Sequence, residues 1–290
     1  MRTQSLFILA AASALMLASC SKAASDIPAI TIEAGIGSLT KVSYDGDTAT
    51  FQSGDKLSVY AWTGSATAVP SSLAVNGIVN TFDGSKWTPA SPMLWDDKSS
   101  AHYFLGISPA REVTNLTADP YTLDPTKFTA SDLLIAKNVE GLTPSSTPVV
   151  LSFTHALARL DVNLTFRSQW DATPTVTSVA ATAKKSATVD YLAKAFTVNG
   201  SASAVSLTKS TDAKWSGLQI PQNGVNTITV TIDGKDYVFT HTTDIPLKGG
   251  KYTTVNLTVG RDRIELAGSG ITISNWTAGD TIDGGEAQDD

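Results

Sequence analysis

The chain has 290 residues, 42% hydrophobic and 17% charged, which suits a packed core and excludes a disordered polyelectrolyte. A formal net charge of -6, from 21 basic and 27 acidic residues, excludes nucleic acid as a partner, because phosphates demand a basic surface. One cysteine excludes an internal disulfide framework and any cysteine-cluster zinc site.

Residues 1–19 read as a lipoprotein signal peptide. Arg2 supplies the leading positive charge, and Leu6 to Leu17 form an apolar stretch broken only by Ser13. That length suits a signal-peptide core rather than a membrane span. The stretch ends Leu17-Ala18-Ser19-Cys20, which resembles the lipobox of bacterial lipoproteins. The resemblance implies cleavage between Ser19 and Cys20 and acylation of Cys20. At about 0.8 kcal/mol per buried methylene, several acyl chains would hold the mature protein on its membrane. Ser21 lacks the aspartate that retains some lipoproteins at the inner membrane, so an outer-membrane, cell-surface location is expected. Residues 20–25 then read as a short tether.

Beyond the tether the chain reads as short strands, an all-β fold. Ile30 and Ile32 alternate around Thr31; Leu57, Val59 and Ala61 alternate with Ser58, Tyr60 and Trp62; Tyr103, Leu105 and Ile107 follow and stop at Pro109. A helical turn is conceivable only around Ser131 to Lys137. Two prolines in Leu142 to Pro148 mark a linker between an N-terminal unit, 26–143, and a C-terminal unit, 148–285. Leu151, Phe153, His155 and Leu157 share one phase, whereas Leu160, Val162, Leu164 and Phe166 share the other. The phase change near Ala158-Arg159 requires a bulge or a break between two strands. Ile228, Val230 and Ile232, then Asp233-Gly234, then Tyr237 to His241 form a hairpin signature. Val255, Leu257 and Val259 continue the rhythm, followed by the pairs Ile264 and Leu266, and Ile271 and Ile273, around an Ala267–Gly270 hinge. Strands recurring about every ten residues with Gly, Asp or Pro turns have the sandwich rhythm.

Chemical signatures are sparse. His102, His155 and His241 are far apart, no nucleophile elbow or phosphate-cradling glycine loop occurs, and no cofactor is implied. His155 and His241 fall in strand patterns and read as hydrogen-bonded structural histidines. Asp45-Gly46-Asp47 and Asp96-Asp97 read as turns rather than a calcium loop or an acid pair, so no metal site is assigned. A non-enzymatic protein is expected. Six tryptophans leave a second reading open, a surface lipoprotein stacking them on glycans, although core packing explains them more simply.

Several short stretches, in order, carry a family resemblance: Lys41-Val42-Ser43-Tyr44; Phe51 through Gly54-Asp55-Lys56-Leu57-Ser58-Val59-Tyr60; Ser131 to Ala136; Leu151 to Leu160; Gly249-Gly250-Lys251-Tyr252; and Ile273-Ser274-Asn275-Trp276. With the lipobox, the sequence resembles the fimbrillin-like lipoproteins, the type V pilins and associated surface proteins of Bacteroidetes. The resemblance implies two tandem transthyretin-like β-sandwich domains. It implies a stalk, tip or anchor component of a fimbrium that assembles by strand donation with other fimbrial subunits. In that mechanism, the resemblance implies, a trypsin-like protease removes the first strand and the vacated groove accepts a strand from the next subunit. The first strand would be the Ile30–Ile32 segment, and the donor would come from Ile264, Leu266, Ile271 and Ile273. Stalk subunits are commonly cut after arginine, yet no Arg lies between Cys20 and Arg111. Lys41, before Val42, is the one well-placed basic residue. Either a lysine-accepting protease cuts there, or the chain stays uncut and lipid-anchored. Host or bacterial surface ligands are further partners that such a role allows.

Overall fold

Alternating apolar residues become strands nearly everywhere along the computed structural model, which describes residues 27–37 and 50–276. The chain begins with β1 (Ile32–Ile36), β2 (Lys56–Thr63), β3 (Val75–Phe82), β4 (Trp87–Pro89), β5 (His102–Ser108) and β6 (Asp119–Thr122). A short helix α1 (Phe128–Ser131) leads into β7 (Leu134–Lys137) and β8 (Val149–His155). Then come β9 (Ala158–Phe166), β10 (Val176–Ala183), β11 (Ser186–Asp190), β12 (Ala195–Asn199), β13 (Ser203–Ser206) and β14 (Thr208–Thr211). The chain closes with β15 (Lys214–Gln219), β16 (Thr227–Ile232), β17 (Lys235–Thr240), β18 (Lys251–Val259) and β19 (Ile264–Asn275). The helical turn expected around Ser131 to Lys137 lies earlier, because Leu134, Ile135 and Ala136 are drawn into a sheet that buries both their faces.

A seven-stranded sheet runs β1-β8-β7-β5-β2-β3-β4, a four-stranded sheet β13-β10-β16-β17, a three-stranded sheet β12-β11-β6, and a five-stranded sheet β14-β15-β9-β18-β19. Strand β2 shows how the seven-stranded sheet is covered. Its Leu57, Val59 and Ala61 face a small core with Phe104, Leu151, Phe153, Ile30 and Met93. Tyr60 and Trp62, on the opposite face by the two-residue period of a strand, enter a larger core with Leu160, Val162, Ile228 and Val230. The buried hydroxyl of Ser58 is satisfied, donating to the Arg111 carbonyl at 3.0 Å.

The Ile228–His241 hairpin is as its sequence reads. Asp233 (φ 51°) and Gly234 (φ 76°) are both left-handed, the two-residue turn whose twist suits paired strands. The phase break near Ala158 is a change of sheet: β8 ends at His155 in the seven-stranded sheet and β9 opens in the five-stranded one.

The Leu142–Pro148 segment, expected between units 26–143 and 148–285, joins β7 to β8, which are neighbours in one sheet. The chain leaves that sheet at Ala156, beyond the two prolines. Prolines mark where a strand cannot continue; they do not mark which sheet the next strand enters. Strand β6 also reaches across, pairing antiparallel with β11.

Candidate functional site

The first strand occupies a seat lined on two sides. Ile30 donates its N–H to the Met93 carbonyl at 2.9 Å, and Ala29 forms an antiparallel bridge with Leu94. From Ile32 the chain pairs parallel with β8, Ile32 opposite Val149 and Ile36 opposite Phe153. Val149 donates to the Thr31 carbonyl and Gly37 to the Phe153 carbonyl, both at 2.8 Å. The alternation of the sequence puts Ile30 and Ile32 into the small core, 2% and 7% exposed. Burying each isoleucine contributes about 1.5–3 kcal/mol. Without this strand, the β8 edge and an apolar trough over Phe104, Leu151 and Phe153 would lie open.

The last strand, β19, closes the five-stranded sheet against β18. The sequence suggests two short strands on a hinge; the chain forms one strand with a register shift, Val255 opposite Ile271 but Leu257 opposite Leu266. The extra residues bulge where Gly270 offers its carbonyl to the Asn256 amide at 3.1 Å, and Asn256 accepts from the Asn163 amide at 2.9 Å. Ile264, Leu266 and Ile271 pack partly against the large core, and Ile273 is 42% exposed.

Where β8, β18 and β19 meet, four of the motif stretches converge. The Trp276 ring stacks flat on His155, centroids 3.7 Å apart and planes 4° from parallel. His155 Nδ1 lies 3.0 Å from the Asp132 carboxylate. Trp276 donates its N–H to Gly250 at 2.9 Å, and Gly250 donates to Leu157 at 2.9 Å. A Cβ on Gly249 would lie 2.7 Å from the Ala156 carbonyl oxygen, so only glycine fits beside the sheet change.

The remaining candidates are structural. His102 is fully buried: Nε2 accepts from the Asp96 N–H at 2.9 Å, which leaves Nδ1–H to donate to the Ser100 carbonyl at 2.9 Å. Asp97 caps a turn, accepting the N–H groups of Ser99 and Ser100 at 2.7 and 2.6 Å. Hydrogen bonds from Ser100 and Ser99 bring its carboxyl down to about 2. Among the described residues no group of three His, Cys, Asp or Glu is arranged to hold a metal. No described helix is long and apolar enough to cross a membrane.

The glycan reading is corrected: Trp62, Trp87, Trp95, Trp215 and Trp276 are all buried, and Trp170 packs against the large core. No exposed tryptophan platform is formed. Ser19, Cys20, Lys41, Val42 and Asp45-Gly46-Asp47 lie outside the described residues.

The described residues thus form packed β-sheets in which the first and last described strands, β1 and β19, both lie at sheet edges. The fimbrillin-like family matches residues 40–276, and the chain belongs to that family. It is similar in fold to a candidate cell adhesion protein from Bacteroides uniformis, at 18% identity and a TM-score of 0.65, covering 86% of this chain and 98% of that one. A candidate cell adhesion protein from Bacteroides ovatus gives 13% identity and a TM-score of 0.67 over 86% and 98%. A fimbrial protein from Bacteroides vulgatus gives 14% and 0.52 over 85% and 99%. At these identities the likeness is one of fold. No curated protein matches the sequence.

Proposed function

We propose that this chain is a non-enzymatic component of a fimbrium at the bacterial cell surface, delivered as an outer-membrane lipoprotein through Cys20 and assembled by strand exchange. Membership of the fimbrillin-like family supports the fimbrial role. The seat of the first strand carries the exchange mechanism: Ile30 and Ile32 fill an apolar trough between β8 and Met93, while their backbone satisfies both edges. Removing that strand would expose unpaired N–H and C=O groups beside apolar surface, the two features a donated strand satisfies together. The peptide bond between Lys41 and Val42 lies beyond the described end of the first strand, so cutting there would release the whole segment. The donor in this reading is the stretch containing Ile264, Leu266, Ile271 and Ile273 of a neighbouring subunit. Division into two tandem transthyretin-like sandwiches belongs to the same reading, with the sheet change at Ala156 as its joint.

Mass determination of the protein recovered from cells tests this. An acylated Cys20 terminus is expected for an anchored subunit and a Val42 terminus for a processed one. Recovery of only an unmodified chain that keeps residues 1–19 would overturn the lipoprotein route. Cys20→Ala should abolish labelling by a fatty-acid probe and release the protein from the membrane fraction; equal labelling of this variant removes Cys20 as the anchor.

A further inference from the structure

We propose that Trp276 is the lock that keeps β19 on its own chain, and that its release from a shelf built by His155, Gly249 and Gly250 must precede donation of the strand. The second clause rests on the strand-exchange reading; the lock itself does not.

The middle of β19 is weakly held. Its register with β18 slips between Val255 and Leu257, so Ala267 to Gly270 bulge out of the ladder. Its aliphatic side chains are shallow: Ile264, Leu266 and Ile271 are only partly buried, and Ile273 is 42% exposed. Trp276, immediately after the strand, is 8% exposed and is the deepest apolar group of this segment. Trp276 is thus the deep side-chain anchor at the C-terminal end of the strand, while at the other end Glu265 pairs with Arg167 and Arg263.

Part of the seat, His155 and Asp132, belongs to the other half of the chain. His155 closes β8 in the seven-stranded sheet, and its side chain is 8% exposed. Asp132, from the turn before β7, holds the imidazole by a 3.0 Å contact to Nδ1, which fixes the ring plane on which the indole lies. The Gly250 carbonyl takes the Trp276 N–H at 2.9 Å, so the backbone is clamped where the ring is stacked. Lys251 reinforces the end, pairing with Asn275 in the ladder and donating to its side-chain oxygen. A strand fastened at its end and bulged in its middle opens from the end, since local opening follows the sparsest contacts once the tight one is lost.

Hydrogen exchange by mass spectrometry on the full chain tests the lock, with Trp276→Ala removing the ring and His155→Ala removing its seat. Either variant should accelerate exchange of the Ile271–Asn275 amides about tenfold or more, leaving β2 and β5 at wild-type rates. Trp276→Phe should restore most of the protection, because a smaller ring still stacks. Unchanged β19 exchange in both alanine variants, or equal acceleration of every strand in both, overturns the lock. If Trp276→Ala fails to fold, His155→Ala decides. Multimer formation, followed by size-exclusion chromatography after adding chain that starts at Val42, separates the two ideas. A variant open at β19 that never forms multimers keeps the lock and removes strand donation.

Discussion

Asp119 is where the two halves of the chain share a buried charge. Its carboxylate, on a residue 5% exposed, receives the Arg111 guanidinium at 3.1 Å and the Tyr191 hydroxyl at 2.7 Å. Arg111 follows β5 and also lies over the Tyr121 ring, 5.3 Å from its centroid. Burial first, and donation to Asp119 second, push the Tyr191 phenol above its ordinary range. Tyr191 therefore stays a neutral donor, and its contribution to stability is complete below pH ~10, fading only as alkali rises through the higher folded value. Tyr191→Phe keeps the ring and deletes the hydrogen bond to a charged acceptor, which should cost about 1.5–3 kcal/mol. Urea unfolding measures it, and an unchanged midpoint would show that Asp119 is already satisfied by Arg111.

Among the elements, the turns carry the acid sensitivity. Asp83, Asp97 and Asp124 each accept N–H or hydroxyl hydrogens from residues two or three places on, and these bonds lower all three carboxyls. For a depressed carboxyl, the contribution is present above the unfolded value near 3.8 and is lost as pH falls through the folded one, about 2 for Asp97. Asp97→Asn keeps an oxygen that accepts from Ser99 and Ser100 but does not titrate. Its melting temperature should fall less steeply than wild type between pH 4 and about 2; parallel curves would remove Asp97 from the acid response. Such turns, like the Asp233-Gly234 hairpin, are legible in the sequence because a few adjacent residues determine them. The strands are legible for the same reason, since side-chain alternation is a local signal. Partner choice is not local. Nothing near Ile32 announces that it lies opposite Val149, or that Tyr121 in β6 faces Ala187 in β11. The tryptophans mislead because a flat ring suits a sugar face and a core equally, and only the placement of Trp62 and Trp95 inside two covered faces decides. The terminal strands of the candidate site could be read from Ile30–Ile32 and Ile264–Ile273. The Trp276 seat on His155 could not, although both residues sit within stretches that carry the family resemblance.

At the scale of the whole molecule, the shared core decides how the halves behave. Tyr60, Trp62, Leu105 and Ile107 come from the seven-stranded sheet but are buried with Leu160, Val189, Val230 and Val255 from the second half. Polar contacts cross the same boundary: the Lys137 ammonium donates to the Leu192 carbonyl at 2.8 Å, and Lys194 donates to the Ile135 carbonyl at 3.2 Å and the Thr154 hydroxyl at 3.0 Å. Between β7 and β8, by contrast, Ser145, Ser146 and Thr147 are exposed and offer a protease the linker without touching the core. A cut between Ser145 and Ser146 therefore severs the chain but leaves β8 paired to β1 and β7, and β6 paired to β11. The nicked protein should elute as one species of full-length size under native conditions and resolve into two fragments only in denaturant. If the fragments separate in native buffer, the shared core does not hold the halves together. Co-elution would mean that the shared core, not the chain connection between β7 and β8, holds the two halves as one body.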